Sequence, residues 1–540
     1  MGEWRRRLDK ARGVETLNTA TNLARHTIRQ LIELGISDFV LSPGSRNAPL
    51  SIALYEAHQR GLIELHIRID ERSAAFFALG IAKATNRYVP VICTSGTAVA
   101  NYYPAVLEAH HSDIKLLILS ADRPARVRNT GANQTTNQKE IFQNFVSVSI
   151  DTATAFDAKK SLNGSGPIHF NLQFDEPLLT TDSTDWLLGI HVSEPKGKTK
   201  VKGEVKVLKN RSVIVVGHDR AGFEISEIEA FAKSLGALLI AEDPLSFKDS
   251  IAYAPILLSS EKARNDLTPD ITFVIGRTTL SRSINNFIQG AKYLVVIDPR
   301  MENVDTARTA DEMHFDIPRI KETASPDNEW INLWRKYEIL AAKSISELPD
   351  WCESSIAKLI ASEIHDDSAL FIASSRPIRD LESFASPRSG IKTFANRGLA
   401  GIDGNISVAM GIATRFQESV AIIGDLGFLH DVSALTNVVD VNLLIIVIDN
   451  NGGGIFSTLP QRGVPGFESI FGTPHGIDIA KVASSYGISN VIVKNSSDLS
   501  HEIAHHVDGV RVVVVKVPDR EENANTIANV LKKYSELVVL

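Results

Sequence analysis

Two short clusters in the C-terminal part of the chain carry residue types suited to holding a cation. Gly424-Asp425-Leu426 follows the apolar pair Ile422-Ile423, and Asp449-Asn450-Asn451-Gly452 follows the apolar run Leu443 to Ile448. The 25 positions from Asp425 to Asn450 leave room for a turn, a helix expected over Leu429 to Val438, and the next strand. A right-handed crossover of that kind brings both strand ends to one edge of a sheet. A carboxylate, a carboxamide oxygen and a nearby carbonyl are hard ligands, appropriate to Mg²⁺ holding a diphosphate. The same residues also cap helices and make turns after strands, and spacing alone leaves both readings open.

Other candidates point to different chemistry. His501-Glu-Ile-Ala-His505 has the spacing in which two histidines one helical turn apart bind zinc and the glutamate acts as base. Leu499, Ile503 and Val507 form the apolar stripe of that short helix, so both histidines are expected on its solvent side, and zinc hydrolysis is disfavoured. His110-His111 is expected at a helix C-terminus, where a cationic pair is favourable. Gly217 to Gly222 fits neither a dinucleotide fingerprint nor a P-loop and reads as a strand-to-helix turn. Asp70-Glu71, before a helical run, reads by itself as a capping pair.

The elements that must position these residues are short β-branched runs alternating with helical stretches. In the first part, Asp38 to Leu41, Glu64 to Ile69, Val89 to Cys93 and Lys115 to Leu119 read as buried parallel strands, with helices over Thr16 to Leu34, Glu71 to Ala84 and Ala98 to His110. Val213 to Val216, Ala237 to Ala241, Ile271 to Ile275 and Tyr293 to Ile297 form a second series. Ala369 to Ala373, Val420 to Ile423, Leu443 to Ile448, Val491 to Val493 and Val510 to Val515 form a third. This alternation predicts an α/β protein of three doubly wound parallel-sheet domains. The polar, basic stretch at 192–206, with Lys196-Gly-Lys-Thr-Lys200, reads as a linker. Ser325-Pro-Asp-Asn328 leads into a helix over Trp330 to Leu340. The expected division is 1–191, 192–349 and 350–540.

Composition sets the outer limits. A chain of 540 residues exceeds one hydrophobic core, and 44% hydrophobic with 22% charged residues is ordinary for a globular protein. A net charge of −7 gives no support to a nucleic-acid partner. Cys93 and Cys352 cannot build a disulfide framework, which fits a reducing, cytoplasmic setting. Met1 to Arg7 is basic without a following apolar stretch, and Leu443 to Ile448 is far too short for a membrane span.

Further motifs give these clusters a common meaning. Gly-Asp-Leu followed about 25 residues later by Asn-Asn resembles the metal-diphosphate motif of thiamine-diphosphate enzymes, with Leu426 where Gly is usual. Ser42-Pro-Gly-Ser-Arg-Asn-Ala-Pro-Leu50, Asp70-Glu-Arg72, Thr94-Ser-Gly-Thr-Ala-Val-Ala-Asn101, Ala121-Asp-Arg-Pro124 and Gly131-Ala-Asn-Gln134 narrow the resemblance. So do Asn396-Arg-Gly398, Gly401-Ile-Asp-Gly404 and Asn450-Asn-Gly-Gly453. Together, from about Thr16 to the C-terminus, they resemble the 2-succinyl-5-enolpyruvyl-6-hydroxy-3-cyclohexene-1-carboxylate synthases of menaquinone biosynthesis.

That resemblance implies a decarboxylating carboligase that takes 2-oxoglutarate and adds the resulting succinyl carbanion equivalent to isochorismate. Thiamine diphosphate would carry the chemistry, with Mg²⁺ or Mn²⁺ as the metal. Glu71 would be the catalytic residue, hydrogen-bonded to the cofactor's aminopyrimidine ring. Asp425, Asn450 and the carbonyl of Gly452 would hold the metal. Ile402, Gly424, Ile455 and Phe456 would lie against the cofactor, and Ile402 would support its bent shape. Leu459 would lie beside the substrate. Arg46, Arg123, Arg282, Arg379 and Arg397, assisted by Ser45, Asn133, Gln134 and Ser375, would bind the carboxylates of two dicarboxylic substrates, since guanidinium groups do so bidentately. Ser281 stands where the family often has Lys. The turn at Gly217 to Gly222 argues against the flavin site of some related synthases. A homodimer with shared sites, or a homotetramer, would be the assembly. The alternatives are a related 2-oxoacid decarboxylase or acetohydroxyacid synthase, and a non-enzymatic cofactor-binding protein.

Overall fold

A computed structural model describes residues 18–162, 164–180, 182–192, 203–300, 305–438 and 440–539. The basic N-terminus, Thr16 at the start of the first expected helix and most of the expected 192–206 linker lie outside the described residues. The rest divides into two compact units. One takes the described residues through 192 with Met410–Arg415 and Thr436–Val438, and the other takes the remainder.

The first unit is built on a six-stranded sheet of β1 (Asp38–Leu41), β2 (Glu64–Ile67), β3 (Val89–Cys93), β4 (Leu116–Asp122), β5 (Val148–Thr152) and β6 (Ile168–Gln173). Their order is β2-β1-β3-β4-β6-β5, with every pairing parallel. β1, β3 and β4 are buried throughout, so their apolar runs needed no alternation to be read as strands. The helix Glu71–Thr85 is capped by Asp70, whose carboxylate accepts from Ser73 N–H at 3.1 Å, and it ends where Asn86 turns left-handed at φ +52°. The expected helix from Ala98 to His110 is two helices, Thr97–Asn101 and Tyr103–Ser112. Pro104 has no N–H and clashes with a carbonyl one turn back, which breaks a continuous helix there.

β6 was not expected, because His169 and Asn171 interrupt its apolar residues. Both are fully buried, in a polar network. Ser120 Oγ lies 2.8 Å from Asn171 Oδ1 and 2.7 Å from His169 Nε2. The hydroxyl has one proton and gives it to the carboxamide oxygen, so His169 donates from Nε2. His169 Nδ1 is buried with no hydrogen-bond partner, and burial pushes the imidazole pKa down to about 3.

The second unit holds β7 (Glu204–Val207), β8 (Ser212–Val216), β9 (Leu238–Ala241), β10 (Ile271–Ile275), β11 (Leu294–Ile297), β12 (Glu312–His314) and β13 (Arg319–Thr323). It also holds β14 (Ala369–Ile372), β15 (Lys392–Ala395), β16 (Ser419–Gly424), β17 (Leu443–Asp449), β18 (Ser489–Val493) and β19 (Val510–Lys516). They form a five-stranded sheet ordered β12-β11-β10-β8-β9, a β13-β7 pair, and a six-stranded sheet ordered β15-β14-β16-β17-β19-β18, all parallel. The helix expected over Trp330 to Leu340 runs longer, Asn328–Ile345, because Asp327 caps it. Among the described residues no helix is long and apolar enough to cross a membrane.

Between β16 and β17 the expected helix over Leu429 to Val438 is absent. A short helix, Asp425–His430, starts directly at the strand end, and a 3₁₀ segment, Val432–Asn437, follows. Asp431 separates them: its carboxylate accepts from Ser407 N–H at 2.8 Å and from the Ser407 hydroxyl, and its backbone, at φ −120° and ψ 22°, leaves the helical region and stops the first helix.

The depressed basicity of His169 gives a signed expectation. Between pH ~6.5, where an unfolded histidine protonates, and about 3, the unfolded chain binds the extra proton. Stability should therefore fall as pH drops through this window, by up to ~1.4 kcal/mol per pH unit from this one group. His169→Gln, which keeps a donor for Ser120, should flatten that slope in urea unfolding curves measured from pH 4 to 7. An unchanged slope would remove His169 as its source.

Candidate functional site

The in-register pairing of β16 with β17, Ser419 opposite Leu443 through Gly424 opposite Ile448, brings their carboxyl ends to one edge. Asp425 and Asp449 are each 2% exposed there, and Asn450 is 9% exposed. Asp425 Oδ1 accepts from Leu426 N–H at 2.6 Å, while Oδ2 accepts from Gly452 N–H at 2.8 Å and lies 3.2 Å from His475 Nε2. Burial, with the charge of Asp449 added to it, holds the Asp425 carboxyl above the ordinary aspartate range despite these hydrogen bonds. Asp449 is paired with Lys516 Nζ and accepts from Asn451 N–H at 3.1 Å. Ligand atoms of Asp425, Asp449 and His475 lie within 4.8 Å of one another.

These residues fit a hard divalent cation. Asn450 Oδ1 is buried and has no hydrogen-bond partner, an acceptor that a cation would satisfy. The turn carrying Gly452 is closely packed: its φ is +139°, and a Cβ there would lie 2.1 Å from Gly472 O. Gly453 and Gly454 are similarly confined, a Cβ at Gly454 falling 2.3 Å from Asn450 Nδ2. Arg520 Nη1 donates to the carbonyl of Asn451, closing the turn from behind. Ile455, Phe456 and Leu459 follow on or just after the 3₁₀ segment Gly454–Thr458, all half-buried, with the Phe456 ring 5.5 Å from that of Phe471. Ile402 is 37% exposed, and its carbonyl accepts from Asn405 Nδ2 at 3.0 Å.

His475 was not anticipated. It stands in Thr473-Pro-His-Gly476, a turn-rich stretch without periodicity, 50 positions beyond Asp425, and only the folded chain brings it back. The His501 and His505 rings do approach to 4.0 Å between centroids, but the helix Ser496–Ala504 ends before His505 and both side chains are exposed.

The arginines of the second unit are not all alike. Arg397, 3% exposed, uses Nε and Nη2 on Glu242 at 3.2 and 2.8 Å. Glu242 follows β9 and also accepts from His218 N–H at 2.9 Å and Leu280 N–H at 3.2 Å. Arg282 lies two residues beyond Leu280, exposed at the first position of the helix Arg282–Gln289, where Ser281 is the N-cap. Arg397 also lines a cavity of about 330 Å³ with Arg277, Thr279, Asn285 and Leu399. Arg379 Nη1 donates to Ser375 O at 2.6 Å, and Ser375 itself has φ +74°. Burial first, then the charges of Arg376 and Arg397, push the Arg379 guanidinium below its usual range, which a carboxylate ligand would relieve.

In the first unit, the candidate residues gather where β1, β3 and β4 end. Arg46 N–H donates to Thr94 Oγ1 at 3.3 Å and its Nη1 to Phe174 O at 3.1 Å, beside exposed Ser45. Arg123 Nη1 donates to Ser95 Oγ at 2.7 Å and Gln134 O at 2.6 Å. Burial and the charge of Arg46 lower the Arg123 pKa, so the two guanidinium groups share one neighbourhood. Asn133 and Gln134 are exposed on a loop anchored by buried Gln138, whose Oε1 accepts from Gly96 N–H at 2.9 Å and whose Nε2 donates to Asn171 Oδ1 at 3.0 Å. Glu71 is half-buried in the first turn of its helix, and its charge reaches the buried Cys93 thiol and Tyr102 hydroxyl.

Comparison with known proteins places the chain among thiamine pyrophosphate enzymes. Residues 21–141 match the N-terminal TPP binding domain of thiamine pyrophosphate enzymes, 184–372 the thiamine pyrophosphate middle domain, and 380–517 the C-terminal TPP binding domain. A 2-succinyl-5-enolpyruvyl-6-hydroxy-3-cyclohexene-1-carboxylate synthase of Thermobifida fusca is 35% identical over 94% of this chain and 97% of its own. Proteins of the same name from Staphylococcus haemolyticus and Bacillus cytotoxicus are 31% and 32% identical, over 94% and 92% of this chain and 96% and 93% of theirs. With three domain matches in order and relatives similar along nearly their whole length, the chain belongs to the 2-succinyl-5-enolpyruvyl-6-hydroxy-3-cyclohexene-1-carboxylate synthase family of thiamine pyrophosphate enzymes.

Proposed function

We propose that this protein decarboxylates 2-oxoglutarate and joins the resulting succinyl carbanion equivalent to isochorismate, forming 2-succinyl-5-enolpyruvyl-6-hydroxy-3-cyclohexene-1-carboxylate for menaquinone biosynthesis. The observation that carries the reading is the similarity to synthases of that name over more than nine-tenths of the chain. The clustering of Arg46 with Arg123, and of Arg379 with Arg376 and Arg397, supports it over a pyruvate-type decarboxylase, because two dicarboxylic substrates need several fixed cations.

Thiamine diphosphate, when bound, supplies a nucleophilic thiazolium carbon to add to the 2-oxoacid and a cationic ring to take up the electron pair that decarboxylation releases. Glu71 holds the proton that the aminopyrimidine exchanges. Asp425, Asn450 and the Gly452 carbonyl would hold Mg²⁺ or Mn²⁺ for the diphosphate, beside Gly424, while Ile402, Ile455 and Phe456 would lie against the cofactor. Ser45, Arg46, Arg123, Asn133 and Gln134 from the first unit, and Arg282, Ser375, Arg379, Arg397 and Leu459 from the second, orient the substrates. The division at 1–191, 192–349 and 350–540 follows the roles of pyrimidine binding, a central domain, and diphosphate and metal binding. The enzyme works in the cytoplasm, in keeping with two free, buried cysteines. It works as a homodimer, or as a pair of such dimers, in which Glu71 of one chain serves the metal site of the other.

The decisive assay incubates the protein with thiamine diphosphate, Mg²⁺, 2-oxoglutarate and isochorismate and identifies the product by mass spectrometry. The adduct of both substrates is expected, and faster turnover of pyruvate would reverse the reading. Glu71→Gln should lower turnover by ~10²–10⁴-fold at saturating cofactor with the fold intact, since an amide cannot exchange the proton. Mixed with Asp425→Ala chains after verified subunit exchange, it should regain activity, because one of two shared sites then carries neither lesion. No recovery means that the sites are not shared. Arg379→Ala should raise the KM for 2-oxoglutarate far more than it weakens thiamine diphosphate binding, by a charge-pair loss of about 2–5 kcal/mol. Equal damage to both would reassign Arg379.

A further inference from the structure

A carboxamide has one end that binds cations and one that cannot, and half a turn about its last torsion exchanges them. Asn450 is therefore a cation ligand only if something holds its oxygen toward the site. Its Nδ2 donates to Glu353 Oε1 at 2.6 Å, and its Oδ1 is the buried atom left without a partner. A carboxylate offers acceptors only, so the flipped amide would set oxygen against oxygen and aim an NH₂ group at the cation.

Glu353 is itself firmly placed. It is 5% exposed at the start of the helix Glu353–Glu363. Its backbone N–H donates to Asn523 Oδ1 at 2.9 Å, and Asn523 Nδ2 in turn donates to the carbonyls of Pro518 at 2.8 Å and Asp519 at 3.1 Å. Its second carboxylate oxygen lies 3.4 Å from Arg376 Nε, and Arg376 also pairs with Asp380 one helical turn on. Arg376 is thus the positive partner that a carboxylate needs when it is taken out of water. Glu353 is not in the group of Asp425, Asp449 and His475 whose atoms converge. The family's motif, as read in the sequence, has no place for it either.

We infer that Glu353 is a positioning residue that fixes the rotational state of Asn450, presenting the carboxamide oxygen to the cation. The inference rests on Asn450 being a cation ligand. It explains why a charged group is buried beside the site without joining the converging ligand atoms, and why Gly454, whose Cβ would strike the Asn450 amide nitrogen, must lack a side chain.

The test is Mn²⁺ uptake by the whole protein with thiamine diphosphate present, read as free-ion EPR signal, with the melting temperature of each variant measured alongside. Glu353→Gln should weaken Mn²⁺ binding by ~10–100-fold, because a glutamine no longer selects one amide orientation. Asn450→Asp alone should also weaken it, since it sets a carboxylate against Glu353. In the double variant the glutamine NH₂ can donate to one oxygen of the new carboxylate, while the other faces the cation in either rotamer. Binding there should return to within a few-fold of native. Asn450→Asp thus changes sign with its background, which a purely structural role in melting temperature does not produce. Native affinity in Glu353→Gln, or a double variant no better than the weaker single one, would overturn the inference. Native protein that takes up no Mn²⁺ would instead overturn the cation site itself, and this inference with it.

Discussion

A carboxylate removed from water must be met by donors or by a cation, and Asp425, 2% exposed at the end of β16, makes that demand at the edge of its sheet. Two backbone N–H groups and His475 answer it in part. The turn through Gly452 supplies one of those N–H donors, and Asn450 on the same turn donates to Glu353. The parallel register of β16 and β17 is what allows a residue 25 positions away to join the same cluster.

Electrostatic crowding extends from there into the rest of the second unit. Arg379 is repelled by both Arg376 and Arg397, while Glu353 and Asp380 pair with Arg376 and Glu242 pairs with Arg397. Burial pushes Asp380 up to about 7 and Glu382 well above the carboxylate range, with Arg376 opposing the first and Glu242 reinforcing the second. Such a set is costly to assemble in a dry interior, and its retention is easier to understand as preparation for anionic ligands than as a source of stability.

The sequence was informative where one physical signal dominated. Strands such as β3 and β17 are continuous apolar runs buried on both faces, and the spacing from Asp425 to Asn450 encodes a crossover. Signals failed where two effects compete. β6 was hidden because His169 and Asn171 look like surface residues until their shared network is seen. The helix after Asp425 was misplaced because the pull of Ser407 on Asp431 is a contact between distant segments. His475 and Glu353 have no local pattern at all: one is in a turn, the other reads as an ordinary acidic first-turn residue. The arginines were found by resemblance, but not that Arg397 is already paired with Glu242.

That pairing bears on how freely parts of this protein can be exchanged. Glu242 follows a strand of the five-stranded sheet, while Arg397 follows a strand of the six-stranded one, and the bond between them is nearly free of solvent at 1% and 3% side-chain exposure. The central sheet is therefore no passive spacer. Grafting it from a relative as an independent cassette would succeed only if the donor brought an acid to the same place, since otherwise a lone guanidinium would be stranded in the interior.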